Sequence, residues 1–147
     1  MPDALNIRIV AFDDLTLREL HAVLLVRSEV FVVEQKICQV AEVDAEDTRC
    51  LHVIAQLNDK VVGTARLLPV DDVFKVGRVA VLTDCQGKGV GSAMLHTIHD
   101  WLNGRQGKMS AQAHLEKWYT SLGWQRVGQV YKEAGLPHLR MVYSADA

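Results

Sequence analysis

A glycine-rich turn at residues 86–92 is the part of this sequence best suited to chemistry. The turn lies between a strongly apolar run and a helical pattern. Glycines leave room for a bulky anion beside the backbone, and the unpaired N–H groups of a helix's first turn attract negative charge. The segment therefore predicts a pyrophosphate cradle, with a plain helix-entry turn as the alternative. The cradle consists of Gln86, Gly87, Lys88, Gly89, Val90, Gly91 and Ser92.

The spacing of these glycines separates the turn from two common phosphate-binding motifs. A P-loop requires Gly-x-x-x-x-Gly-Lys-Ser/Thr, and the dinucleotide fingerprint requires Gly-x-Gly-x-x-Gly. This chain has Gly-x-Gly-x-Gly at positions 87, 89 and 91. Both of the common motifs are therefore set aside.

The overall composition argues against nucleic acid and membranes as partners. The 147 residues include 16 basic and 18 acidic side chains, so the net charge of -2 creates no broad positive field. The start, Met1-Pro2-Asp3, lacks the features of a signal peptide, and the longest apolar run, at residues 22–26, is too short to cross a bilayer. We expect a cytoplasmic protein that binds neither nucleic acid nor membrane, and the sequence is compatible with a homodimer.

The cysteines and histidines give no sign of a metal site or a disulfide framework. Cys38, Cys50 and Cys85 are odd in number and widely spaced, which suits a reducing compartment. His96, His99 and Asp100 lie close together on a predicted helix, but on the side opposite its apolar stripe and without a further ligand. We therefore expect a solvated helix face there and no bound metal.

The first half of the chain predicts one strand, a long helical region and a loop. Alternating apolar residues predict a strand at residues 5–9. Asp13 and Asp14 are predicted to cap a helix in which Leu17, Leu20 and Leu24 repeat at helical spacing and which extends towards residue 34, in one or two pieces. The acid-rich segment 36–49 is predicted to be a loop.

The second half of the chain predicts a sheet with two further helices. Residues 51–57 and 61–68 suit a hairpin, and residues 74–82 suit a central strand buried on both faces. Helices are predicted after residue 90 and near residue 118, with strands at 109–113, 127–131 and 139–143. With 49% apolar residues, the elements suit one α/β layered domain over residues 1–147, a single mixed sheet flanked by helices.

Several of these segments resemble the GNAT superfamily of acyl-CoA N-acyltransferases. The superfamily pattern Gln/Arg-x-x-Gly-x-Gly/Ala is filled by Gln86, Gly89 and Gly91. Residues 30–35, 77–81, 111–113, 118–124 and 135–141 further resemble the ElaA/YjcF-like branch, in the same order along the chain. Two positions depart from that pattern: Gln112 stands where the family usually has Asn, and Trp124 where it usually has Phe.

The resemblance implies a fold, a co-substrate and a reaction. The fold is a mostly antiparallel sheet whose central strands splay, and acetyl-CoA lies in the gap between them. Strand residues Val79, Ala80 and Val81 would hold the pantetheine arm through their backbone, and the glycine turn would hold the pyrophosphate. The reaction is acetyl transfer to an amine of a small molecule or a protein. A non-catalytic acyl-CoA-binding module and an enzyme for a different acyl-CoA are the alternatives.

The resemblance also indicates which residues handle protons. Tyr119 matches the tyrosine that donates a proton to the departing thiolate, although it also lies on the apolar stripe of its helix and suits core packing. His138 suits the general base because an imidazole titrates near neutral pH, with a strand histidine bonded to backbone as the alternative. Glu34 is the rival base, or else a solvated charge at a helix end.

Two further residues are predicted to contact the acceptor. Arg78 precedes the coenzyme-binding strand segment, where its guanidinium group would bind a carboxylate or phosphate of an anionic acceptor. The alternative for Arg78 is a salt bridge with one of the many nearby acids, such as Asp71 or Asp72. Gln112 occupies the family's Asn position and is predicted to contact the acceptor as well.

Overall fold

The fold is built on one seven-stranded sheet. A computed structural model describes residues 4–37 and 41–144, so Cys38 lies outside the described residues. The strands are β1 Leu5–Ala11, β2 Leu51–Leu57, β3 Lys60–Val70, β4 Val73–Val81, β5 Gln106–Gln112, β6 Gln125–Glu133 and β7 Leu136–Tyr143. Their spatial order is β1-β2-β3-β4-β5-β7-β6, with every neighbouring pair antiparallel except β4 and β5. The predicted mixed, mostly antiparallel sheet is confirmed.

The two central strands separate after a short contact. β4 and β5 pair at only three positions, from Val73 opposite Gln106 to Lys75 opposite Lys108. Further along β4 an extra residue forms a β-bulge, because two residues separate Gly77 from Ala80 while one separates their partners on β3. Arg78 at this bulge has a positive φ of 50°. Bulges bend and twist a strand, so β4 turns away from β5 and opens the predicted gap.

The gap changes the burial of β4. The strand lies at the sheet centre as predicted, but among its residues only Val76 and Ala80 are buried. The expectation of burial on both faces is therefore wrong. The physical reason is the splay, which leaves the cleft side of β4 without a neighbouring strand over the second half of its length.

The first helix, α1, spans Leu17–Arg27 and begins with a cap that differs from the predicted one. Thr16 and Glu19 form a capping box, in which the Thr16 hydroxyl accepts from the Glu19 N–H at 3.1 Å and the Glu19 carboxylate accepts from the Thr16 N–H at 2.9 Å. Asp13 and Asp14 instead lie in a preceding 3-10 turn. The reciprocal pair satisfies two backbone donors at once, which a single aspartate does not.

The buried face of α1 also differs from the predicted stripe. Val23 and Val26 of α1 are buried, as is Val30 just beyond its end, whereas Leu17 is 87% exposed. After α1 the chain continues as a π-helical segment, Ser28–Glu34, so the long helical region is indeed in two pieces. Helical spacing shows that α1 has an apolar face, but the way the helix packs on the sheet decides which of its residues are buried.

Two helices cover the core face of the sheet and end as the glycines suggest. α2 spans Val90–Leu102 and α3 spans Glu116–Ser121. Both helices end just before glycines with positive φ, Gly104 at 88° and Gly123 at 102°. None of the helices in residues 4–37 and 41–144 is long and apolar enough to span a membrane.

Candidate active site

The glycine turn has the open geometry that a phosphate cradle requires. Gly87 and Gly89 have φ values of 79° and 83°, a conformation that residues with a Cβ rarely adopt. A Cβ added at either position would meet no atom within 4 Å, so the space above the backbone is free for an anion. Gly89 is the N-cap of α2, and the N–H groups of the helix's first turn point towards the same space. The turn therefore fits a pyrophosphate group.

Two other residues of the turn have structural tasks. A Cβ added at Gly91 would lie 3.2 Å from the Trp118 ring, so this glycine lets α2 approach α3 closely. The Gln86 side-chain amide donates a hydrogen bond to the Val81 carbonyl oxygen at 2.9 Å. Gln86 thereby connects the turn to the end of β4. The sequence pattern placed Gln86 in the phosphate cradle and did not indicate this hydrogen bond.

A cavity of about 520 Å³, called here the central cavity, lies in the gap between β4 and β5. It is lined from both sides of the splayed sheet. Five of the predicted site residues are among those that line it: Arg78, Val79, Gln112, Tyr119 and His138.

Tyr119 reaches the central cavity from the core side of the sheet. It belongs to the same core cluster as Met109 and Ala111 of β5 and is only 4% exposed. Burial raises the pKa of its phenol, so the hydroxyl group keeps its proton at neutral pH. Its hydroxyl group has no hydrogen-bond partner among the described residues, 4–37 and 41–144. The phenol is therefore a proton donor that is free to bond a group placed in the cavity.

His138 reaches the central cavity from the opposite side of the sheet. It lies opposite Gln112 in the β5–β7 pairing, and its neighbour Leu139 points into the core instead. The Nδ1 atom of His138 is 2.8 Å from the Leu136 carbonyl oxygen, which only accepts, so Nδ1 carries the proton of the neutral ring. The lone pair of neutral His138 is therefore on Nε2, the nitrogen that is available to accept a proton.

Glu34 is not among the residues that line the central cavity. It lies in a separate groove of about 870 Å³ between α1 with the π-helical segment and the ends of β3 and β4. The Thr83 hydroxyl group donates a hydrogen bond to its carboxylate. Phe31 and Gln35, four residues apart on one side of this segment, line the central cavity in its place.

Arg78 lines the central cavity but is already paired with carboxylates. Its Nε atom donates to Glu42 at 3.0 Å, and its Nη2 atom lies 3.4 Å from Asp44. The salt-bridge alternative for Arg78 is therefore present, but its partners belong to the acid-rich loop instead of being Asp71 or Asp72.

Arg78 is one member of a closed ring of alternating charges, called here the arginine–carboxylate ring. Each of its three arginines bridges two of its three carboxylates, at 2.7 to 3.4 Å. In order around the ring the members are Arg27, Glu42, Arg78, Asp44, Arg66 and Asp47. The ring fastens the loop of residues 41–49 to α1, β3 and β4, and that loop forms one wall of the central cavity.

The ring shifts the pKa values of its carboxylates. Hydrogen bonds from Arg66 lower the pKa of Asp44 to about 2. Burial by itself raises the pKa of Asp47, but hydrogen bonds from Arg27 and Arg66 outweigh it and the net shift is downwards. Both carboxylates are therefore charged at neutral pH.

Gln112 bridges the central cavity to the π-helical segment. Its side-chain amide donates a hydrogen bond to the Gln35 side-chain oxygen at 2.9 Å. Both residues line the cavity, so the pair forms a neutral, polar part of its wall.

His99 corrects the expectation of a solvated helix face. It is 9% exposed, and its Nε2 atom accepts a hydrogen bond from the Trp124 indole N–H at 3.0 Å. Its ring stacks on Tyr143 with a centroid distance of 3.8 Å, and burial lowers its pKa to about 4. The larger indole at position 124 needs an acceptor for its N–H, which His99 supplies.

Sequence reasoning missed several polar residues around the central cavity. Ser110, Tyr131 and Glu133 form a hydrogen-bonded cluster beside His138, and the partners of Arg27 and Arg66 come from the acid-rich loop. The sequence did contain one signal of these buried charges. Arg66 interrupts the apolar run of β3, which indicates a buried charge that needs a carboxylate partner.

Known proteins resemble this chain in sequence and in fold. Residues 17–145 match the family described as Acetyltransferase (GNAT) domain. Protein ElaA of Escherichia coli strain K12 is 35% identical over 138 residues, which cover 87% of this chain and 89% of that protein. The crystal structure of an acyl-CoA N-acyltransferase from Pseudomonas aeruginosa is 32% identical, with a TM-score of 0.88 over 96% of this chain and 100% of that one. The crystal structure of Escherichia coli ElaA is 31% identical, with a TM-score of 0.86 over the same shares. The chain belongs to the GNAT family of acetyltransferases.

Proposed function

We propose that this chain is a cytoplasmic, single-domain N-acetyltransferase that passes the acetyl group of acetyl-CoA to an amine of a small molecule or a protein. The observation that carries the proposal is the central cavity, which joins a protonated phenol on one side of the sheet to an unprotonated imidazole nitrogen on the other. An acyl transfer needs a proton donor for the leaving group and a proton acceptor for the nucleophile. The Pseudomonas aeruginosa relative is described as an acyl-CoA N-acyltransferase, which supports the same reaction class.

The chain's contribution to binding is mainly through its backbone. Acetyl-CoA supplies the thioester whose acyl group is transferred. The turn around Gly87 and Gly89 accommodates the pyrophosphate, and Lys88 adds a positive charge to it. The free edge of β4 at Val79, Ala80 and Val81 offers backbone groups to an extended pantetheine arm, as a neighbouring strand would.

The two sides of the cavity divide the proton transfers. His138 Nε2 takes a proton from the acceptor ammonium, which makes the amine nucleophilic. Tyr119 gives its phenolic proton, or a hydrogen bond, to the leaving sulfur. Gln112 and Arg78 lie on the cavity wall and are proposed to contact the acceptor. For Arg78 this requires an acceptor anion to share the guanidinium group with Glu42 and Asp44.

Binding of acetyl-CoA at the glycine turn is tested by thermal unfolding. A ligand held only by the folded state stabilises it by about 2.7 kcal/mol at a hundredfold excess over Kd. We expect acetyl-CoA to raise the Tm of the wild-type protein and Gly89→Asp to remove most of that shift, because a carboxylate would occupy the phosphate position. Gly104→Asp is the matched control, since Gly104 has the same positive φ and the same open surroundings at the other end of α2. An equal ligand shift in both variants would place the coenzyme elsewhere.

The role of His138 is tested by the pH dependence of kcat/KM. We expect kcat/KM to rise with pH through the range where an imidazole loses its proton, and His138→Ala to abolish the rise and lower the rate about 10-fold or more. Glu34→Gln is the control and keeps the rise, because Glu34 lies in the separate groove. If Glu34→Gln removes the rise and His138→Ala preserves it, the carboxylate is the base. If both variants keep it, the amine loses its proton in bulk water and the protein contributes positioning alone.

A further inference from the structure

A hydrogen-bonded cluster that the proposed reaction does not use lies beside His138. The Tyr131 and Ser110 hydroxyl groups are in hydrogen-bond contact, and Ser110 donates to the Glu133 Oε1 atom at 3.2 Å. Because the single hydroxyl proton of Ser110 goes to Glu133, the Tyr131 hydroxyl group is the donor to Ser110. The three side chains therefore form a directed series that ends on a carboxylate.

Strand register explains why three strands contribute to this cluster. Tyr131 lies opposite His138 in the β6–β7 pairing, and Glu133 is two residues further along β6. Residues two apart on a strand share a face, so Tyr131 and Glu133 lie on the His138 side of the sheet. Ser110 is two residues before Gln112, the β5 partner of His138, and shares the same face. The cluster and the imidazole therefore meet on the acceptor side of the sheet.

The second carboxylate oxygen of Glu133 is directed at His138. Its Oε2 atom lies 3.6 Å from His138 Nε2, a distance that suits an ion pair and is too long for a good hydrogen bond. The His138 side chain is 8% exposed and that of Glu133 is 52% exposed, so the carboxylate stays hydrated while it faces a buried ring. Ser110 holds Oε1, which leaves Oε2 turned towards the ring.

We infer that Glu133, oriented by Ser110 and Tyr131, is a positioning residue that stabilises the imidazolium form of His138. The inference rests on the proposed role of His138 as base. When His138 Nε2 takes the proton from the acceptor ammonium, a new N–H bond forms and the ring becomes positive. The carboxylate at 3.6 Å favours that charged state without itself gaining the proton.

The other charges near His138 do not replace Glu133. On β7 itself, Arg140 places its guanidinium group over the Tyr131 ring, 5.7 Å from the ring centre. Gln112 on β5 and Tyr119 on α3 are uncharged at neutral pH. The remaining charged residues that line the central cavity are Glu42, Asp44, Glu46, Arg66, Lys75 and Arg78. Four of these belong to the arginine–carboxylate ring and compensate one another, and Glu46 lies 3.6 Å from Arg66 in that ring.

The inference is tested by titrating the His138 imidazole directly. The Cε1–H resonance of His138, followed by NMR in the protein without ligand, reports its protonation. Glu133→Gln removes the carboxylate charge at similar size, so we expect the titration midpoint to move to lower pH by about half a unit or more. In the kinetics of Glu133→Gln, the rise of kcat/KM with pH also moves to lower pH. The kcat plateau falls several-fold, and KM for acetyl-CoA stays unchanged.

Matched variants separate this charge effect from a structural one. Glu116→Gln makes the same substitution at the Arg126 ion pair, away from the central cavity, and leaves the His138 titration unchanged. Ser110→Ala frees the carboxylate and moves the midpoint part of the way. A midpoint in Glu133→Gln equal to that of the wild type would overturn the inference. If the wild-type protein transfers no acetyl group to any amine, the proposed function fails, while the titration still decides whether Glu133 holds the charged ring.

Discussion

Replacing Asp47 with Asn is expected to lower the free energy of unfolding by about 3 kcal/mol, the largest stability effect predicted here. Asp47 Oδ1 accepts from Arg27 at 2.8 Å and from Arg66 at 3.0 Å. The Arg27 side chain is 1% exposed, so loss of the Asp47 charge leaves the buried guanidinium group with Glu42 as its remaining carboxylate partner in the ring, and also removes one of the two ring carboxylates of Arg66. Urea unfolding monitored by circular dichroism measures the change.

Glu46→Gln is the matched control because Glu46 also pairs with Arg66, at 3.6 Å, but its side chain is 41% exposed. Exposed pairs contribute about 0 to 1 kcal/mol, so the control changes stability little. Equal losses in the two variants would show that burial of the ring does not matter.

The same ring predicts how acid affects stability. The pKa of Asp44 is lowered to about 2 and that of Asp47 is also lowered. The unfolded chain therefore binds more protons than the folded protein between about pH 4 and pH 2. The stability supplied by these carboxylates is present above that range and is lost as the pH falls through it. In Asp47→Asn the free energy of unfolding should fall less between about pH 4 and pH 2, because Asp47 no longer contributes to the acid-dependent loss.

Tyr119→Phe is expected to lower kcat by about 10²-fold while the fold and the affinity for acetyl-CoA are retained. The ring, which extends from α3, stays in the core, and only the hydroxyl group at the central cavity is lost. Burial raises the pKa of this phenol, so the group removed is a proton donor at neutral pH. Steady-state kinetics, ligand-induced stabilisation and Tm measure the three quantities separately.

Tyr143→Phe is the matched control for this substitution. Tyr143 stacks on His99, and it is not among the residues that line the central cavity. We expect its kcat to stay within about twofold of the wild type. Full activity of Tyr119→Phe would make Tyr119 a core residue, whereas equal losses in both variants would point to general loosening of the aromatic core.

Local sequence was sufficient where a feature is made of consecutive residues. The glycine turn at 86–92 was predicted with its position between a strand and a helix, because backbone conformation and missing Cβ atoms act over a few neighbouring residues. The order of strands and helices was likewise predicted from periodicity and turn residues. The GNAT motifs then implied the splay of β4 from β5, which the pairing confirms.

Local sequence was insufficient where a contact with a second residue decides between two possible structures. Both Asp14 and Thr16 suit a helix cap, and the reciprocal bond with Glu19 decides for Thr16. His99 lies between Ile98 and Asp100 in the sequence, so its neighbours do not decide its burial, which the nearby indole of Trp124 explains. In each case the deciding partner was present in the sequence, but its distance in space was not.

The sequence by itself determined the open glycine turn at residues 86–92, the candidate proton donor and acceptor, and the family to which the chain belongs. Only the tertiary structure decided which of those residues share a cavity. Tyr119 and His138 reach it from opposite sides of the sheet, and Glu34 lies in the separate groove. Likewise, the arginine–carboxylate ring joins residues 15 to 36 positions apart in the chain. The physical reason is that strand register and the splay of β4 from β5 set these distances, and both depend on contacts between residues far apart in sequence.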